Sequence, residues 1–160
     1  MTDLLILSRF DDQDIDAHAL DTNLWQGAIP PQGPKLQQAG FQLLVLCAME
    51  HQPAATEFPG IEVIHAPNDD TNLRHPTREE LRIAVAAASR VVEALRNERK
   101  VLVTCWAGRN RSGLVSALAL REYLGISGSA ASALVRMARP DSLTNSQFQA
   151  CLDRLQAPRI

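Results

Sequence analysis

Cys105 and Arg111 stand in the segment Val101-Leu102-Val103-Thr104-Cys105-Trp106-Ala107-Gly108-Arg109-Asn110-Arg111-Ser112-Gly113. A thiol and a guanidinium at this spacing are common by chance, but their context is not. An apolar strand pattern precedes them, a helix pattern follows, and Gly108 and Gly113 bracket the turn. A loop running from a strand end into a helix N-terminus turns free backbone N–H groups and the positive end of the helix dipole on its hollow, which makes an anion site. Gly108 lets the backbone take positive φ or curl closely around a phosphate. A thiol in such a field, beside a cation, is largely thiolate near neutral pH, and the thiolate is the nucleophile. Arg111 can hold two equatorial phosphate oxygens at once through its planar fork. The charge spread over a transferring phosphoryl group is what such a cradle stabilises. The loop's ring of free amides and Arg111 are therefore the candidate phosphate ligands, and the Ser112 hydroxyl is placed to donate to the Cys105 sulfur when it must leave.

Cleaving a phosphomonoester also requires a proton donor for the leaving oxygen. Pro67-Asn68-Asp69-Asp70 ends an apolar run and precedes a capped helix, so in a parallel sheet it falls on the same edge as Cys105. Asp69 and Asp70 are both candidates there, and both also suit a plain turn. Arg109 is a second cation inside the loop and would favour a substrate with additional negative charge. Trp106 shapes the pocket rim or packs on a neighbouring loop. Arg74 and His75, just past the acid loop, read as solvent-facing. Cys47 and Cys151 read as core residues, since a free Cys packs like a small hydrophobe.

These residues need a scaffold, and 160 residues fit one domain, 1–160. Short strands are expected at Leu4–Leu7 and Leu24–Gly27, and a short helix near Lys35–Ala39 closed by Gly40. Phe41–Cys47 is a near-continuous apolar run, as in a strand covered on both faces, and Ile61–Ala66 is a further strand. Thr77-Arg78-Glu79-Glu80 is a capping box. Behind it Leu81, Ala84, Val85, Ala88, Val91, Val92 and Leu95 recur at helical spacing. Val101–Val103 reads as a buried strand, with helices from about Ser112 to Leu124, Ser129 to Ala138 and Asn145 to Leu155. Strands alternating with helices imply an α/β fold with a central, mostly parallel sheet of four or five strands flanked by helices.

Composition excludes several classes. Net charge is −2 with no Lys/Arg run, and aromatics are 4%, so neither the basic footprint nor the stacking platform of a nucleic-acid binder is present. The first residues lack a basic region and read as a strand rather than a leader. The run Ile83–Ala88 is too short to span a bilayer, so no membrane partner is expected. Three widely spaced cysteines do not make a disulfide framework and favour a reducing, cytoplasmic setting. His18, His51, His65 and His75 show no ligand spacing with them, so neither a metal nor another cofactor is expected, and a monomer is expected.

The segment from Cys105 to Gly113 resembles the phosphate-binding signature loop of the dual-specificity protein tyrosine phosphatases. Leu24-Trp25-Gln26-Gly27 resembles that family's early strand, and Gly40-Phe41 to Leu46 the strand after its first helix. Pro67 to Asp70 resembles its general-acid loop. Arg139-Pro140 to Phe148 resembles a C-terminal segment in which Asn and Phe follow an Arg-Pro pair. The resemblance spans about Leu24 to Leu155. It implies that Cys105 is the nucleophile of a phosphocysteine mechanism, that Arg111 and the amides of Trp106 to Arg111 bind phosphate, and that Ser112 assists breakdown of the intermediate. It places the acid on Asp70, with Asp69 as the alternative, and Asn145 beside the active site, where a helix N-cap would serve equally. The substrate would be a phosphorylated protein or a small phosphomonoester. The alternatives are a phosphatase of phosphoinositide, nucleotide or sugar phosphates, or a weakly active phosphate-binding module. The family usually has His immediately before the nucleophile; Thr104 supplies a hydroxyl there but no positive charge, so a less reactive thiol is expected.

Overall fold

In the computed structural model, residues 9–159 apart from Asp11 and Gln13 are described. Five strands, β1 (Ala17–Ala19), β2 (Leu24–Gly27), β3 (Leu43–Ala48), β4 (Glu62–Asn68) and β5 (Val101–Thr104), form one sheet in the order β1-β2-β5-β3-β4. β1 runs antiparallel to β2, and the β2–β5, β5–β3 and β3–β4 pairs are parallel. The helices are α1 (Lys35–Gln38), α2 (Arg78–Arg96), α3 (Arg111–Leu124), α4 (Gly128–Ala138) and α5 (Ser146–Asp153).

All six residues of β3 are buried, because successive side chains alternate between two covered faces. Leu43, Val45, Val101 and Val103 join the larger core under α2 and α3, with Ala84, Ala88, Val91, Leu114 and Val115. Leu44, Leu46 and Leu102 face the other way, into a smaller core with Ile15, Leu36, Phe41 and Phe58. The capping box at the start of α2 is complete. Glu80 N donates to Thr77 Oγ1 at 3.1 Å, and Thr77 N donates to Glu80 Oε1 at 2.8 Å. Val85, grouped by spacing with the apolar face of this helix, is instead exposed, and Ala87 is buried in its place.

The five-stranded, mainly parallel sheet and the flanking helices agree with the α/β expectation. The expected Leu4–Leu7 strand lies outside the described residues. β1 has no strand signature of its own: Ala-His-Ala is short and carries no β-branched residue, and it is a strand because Ala17, His18 and Ala19 pair with Gly27, Gln26 and Trp25. Parallel pairing brings the C-terminal ends of β2, β3, β4 and β5 to one edge, where ligands of open α/β sheets bind. No helix among the described residues is long and apolar enough to cross a membrane.

Candidate active site

β5 ends at Thr104 and α3 begins at Arg111, so Cys105–Asn110 forms the connecting loop. Every carbonyl from Trp106 to Asn110 is held. Trp106 O accepts from Ile29 N (3.2 Å), Arg109 O from Leu143 N (3.1 Å) and Asn110 O from Leu114 N (2.8 Å). Ala107 O accepts from Arg139 Nη2 (3.1 Å), and Gly108 O accepts from Arg139 Nε (2.7 Å) and Gln26 Nε2 (2.9 Å). Among the described residues, the backbone N–H groups of Trp106 to Arg111 have no such partners. Carbonyls tied outward and amides left free are the two halves of an anion-binding concavity. Gly108 makes the curl possible: its φ is +70°, and a Cβ there would stand 2.4 Å from the Gly27 carbonyl carbon. L side chains rarely adopt that conformation, and the neighbour is backbone that cannot swing aside.

Cys105 is nearly buried, with Sγ 3.2 Å from the Oγ of the fully buried Ser112. Arg111 is 6% exposed. Its Nη1 donates to Glu50 Oε1 at 2.5 Å and to Asn68 O at 3.0 Å, while its Nε is buried without a protein partner among the described residues. The guanidinium is thus oriented from one side and leaves its other edge available. Partial burial pushes the Glu50 carboxyl up, but the hydrogen bond from Arg111 holds it below its ordinary value, so it stays an anion. Glu50 was missed from sequence; its only signal is a carboxylate two residues past the end of β3, on the same edge as Cys105.

A cavity of about 370 Å³ opens over the loop. Cys105, Trp106, Ala107, Arg109, Asn110 and Arg111 form its floor and near wall, and Glu50, Asp70 and Thr144 complete it. Gly108, within the loop, and Ser112, in the first turn of α3, are buried and do not line the cavity. Asp70 is brought to this cavity and Asp69 is not. Asn145 Nδ2 donates to Asp70 Oδ1 (3.0 Å) and Asn110 Nδ2 to Asp70 Oδ2 (3.2 Å). Both readings of Asn145 hold, since its own Oδ1 caps α5 by accepting from the amides of Gln147 and Phe148. Arg74 pairs with Glu80, and His75 contacts Gln147 and Arg154; neither lines the cavity. Thr104 does not reach Cys105 through its hydroxyl, which donates to Val45 O at 2.9 Å.

The sequence pattern described as "Dual specificity phosphatase, catalytic domain" matches residues 24–157. No curated protein matches the chain by sequence. Among solved structures, a mouse dual-specificity phosphatase complexed with zinc tungstate is similar, with a TM-score of 0.74 and 26% identity over 92% of this chain and 89% of that one. Human DUSP28 is similar in fold, with a TM-score of 0.73 and 24% identity over 92% of this chain and 95% of that one.

Proposed function

This chain belongs to the dual-specificity phosphatase family, and on that premise we propose that Cys105 is the nucleophile of a two-step hydrolysis of phosphorylated protein, with Arg111 and the loop amides as the phosphate cradle. Family membership makes the protein a cysteine-based phosphatase acting on phosphomonoesters. The single observation that carries the residue assignments is the loop of free amides, with the Cys105 sulfur at its start and the Nε edge of Arg111 at its end.

In the first step the Cys105 thiolate attacks phosphorus in line, an S–P bond forms, and the ester P–O bond breaks. Asp70 protonates the leaving oxygen as it departs. In the second step water attacks phosphorus, Asp70 takes its proton, the S–P bond breaks, and inorganic phosphate leaves. Ser112, at 3.2 Å from Sγ, donates to the sulfur as it regains negative charge. Arg111 and the amides of Trp106 to Arg111 hold the three equatorial oxygens, where charge accumulates. Asn110 and Asn145 keep Asp70 over the cavity. A reducing, cytoplasmic setting suits a mechanism that needs Cys105 as a free thiol, and Cys105 is unbridged.

Arg109 lines the cavity and forms no ion pair among the described residues. That favours a substrate with a second acidic group, and a phosphoinositide, nucleotide or sugar phosphate is the second reading. The deciding experiment is hydrolysis of para-nitrophenyl phosphate with and without tungstate, followed by a panel of phosphopeptides and small phosphates. Cys105→Ser is expected to abolish turnover while retaining tungstate affinity. Phosphopeptide binding by a wild-type protein that turns over nothing would make it a binding module instead.

A further inference from the structure

Arg139 has no task in the two-step reaction, yet it makes four hydrogen bonds while only 7% exposed. It sits just beyond α4 and does not line the cavity. Nε and Nη2 donate to Gly108 O and Ala107 O, at 2.7 and 3.1 Å. Nη1 donates to Asp16 Oδ1 at 3.0 Å and to His18 Nδ1 at 2.8 Å. In a planar trans peptide the C=O and N–H point in opposite directions. Fixing the Ala107 carbonyl on Arg139 therefore turns the Gly108 N–H away from it, and fixing the Gly108 carbonyl does the same for the Arg109 N–H. A rotated peptide would instead present carbonyl oxygen to the anion.

We propose that Arg139 is a positioning residue of this phosphatase site: from behind the loop it keeps the Gly108 and Arg109 amides turned toward the substrate phosphoryl group, and Asp16 and His18 keep Arg139 in place. The inference rests on the cradle reading of the loop given above. Gln26 Nε2 shares the Gly108 carbonyl at 2.9 Å, so among the described residues the Ala107 carbonyl is the one that depends on Arg139 alone. Asp16 and His18 precede residue 24, where the matched family pattern begins. A short N-terminal segment is thereby tied to the phosphate loop through one side chain.

The N-terminal contact is sensitive to protonation. Arginine only donates, so His18 Nδ1 must accept and its proton sits on Nε2. His18 faces Arg139, Asp16 and Arg9. Burial first, and then Arg139, hold its ionisation below the ordinary value. The neutral, accepting form persists as pH falls toward that lowered value and is lost below it, where imidazolium repels Arg139.

The test measures tungstate affinity by calorimetry in the Cys105→Ser background, and kcat and KM in the active enzyme, for Arg139→Met, Arg139→Lys and the double variant Asp16→Asn/His18→Leu. Arg139→Met is expected to weaken tungstate and lower kcat/KM on the order of 100-fold, the scale on which misplaced catalytic geometry is felt. Arg139→Lys should recover only part of this, since an ammonium cannot reproduce the planar fork. The double variant leaves Arg139 and its bonds to the loop carbonyls in place; it should show a smaller loss and remove the part of the acid-side decline in kcat/KM that His18 supplies. Unchanged tungstate affinity and kcat/KM in folded Arg139 variants, with only a lowered melting temperature, would overturn the proposal, as would a double variant with wild-type values and pH profile. Failure of the Cys105→Ser protein, with Arg139 intact, to bind tungstate would overturn the cradle reading, and this inference with it.

Discussion

Asp70 is held by two asparagine amides that differ in what they connect: Asn110 belongs to the phosphate loop and Asn145 to the cap of α5. In the proposed mechanism, an acid fixed between these elements meets the leaving oxygen without searching. Asp70→Asn should lower kcat by about 10²–10⁴ for substrates with poor leaving groups, the usual worth of general-acid catalysis. Substrates with good leaving groups should lose far less, and steady-state kinetics across a series of leaving groups are the check. Thr104 leads to a different expectation from the one its identity suggested. Its hydroxyl is committed to the Val45 carbonyl, stitching β5 to β3 in a fully buried position. Thr104→Val should therefore cost about 1 kcal/mol of stability in urea unfolding while leaving the rate of Cys105 alkylation by iodoacetate unchanged. Glu50 could not be assigned from sequence, because one acidic residue in a loop carries no signal until the fold puts it beside Arg111.

At the scale of elements, α2 was the most legible part of the chain. Its capping box is written in four consecutive residues, and the bonds that complete it are local. Glu80 also accepts from Arg74, and this hydrogen bond foremost holds its carboxyl near about 2 rather than the ordinary 4.5. A lowered carboxyl contributes stability that is full above its unfolded value and fades as pH falls through the folded one. The difference in unfolding free energy between wild type and Glu80→Gln should thus be constant above about pH 4.5 and shrink toward pH 2; equilibrium denaturation across that range measures it. β1 stands at the opposite extreme. Ala17–Ala19 has neither length nor propensity, and it exists because the edge of β2 offers unpaired backbone groups.

For the whole molecule, β3 is the axis: its alternating side chains enter both cores, and β5 and β4 pair on its two sides. Leu44 is fully buried in the smaller core, so Leu44→Ala should cost about 2–5 kcal/mol, read as a shift in the urea midpoint with little change in slope. The sequence by itself determined the α/β class and the Cys105–Asn110 loop with its following helix, because apolar periodicity, glycines and caps act over a few residues and leave their mark in order along the chain. Between Asp69 and Asp70 it could not choose, since both stand in one turn and only tertiary contacts, from Asn110 and Asn145 to Asp70, go with the carboxylate that meets the cavity. Tertiary structure alone placed Glu50 on Arg111, and Arg139 behind Ala107 and Gly108. Those partners come from separate strands and helix ends, 61 positions apart in the first case and 31 or 32 in the second. Such pairings arise only when parallel strands bring their ends to one edge, and no local pattern encodes them.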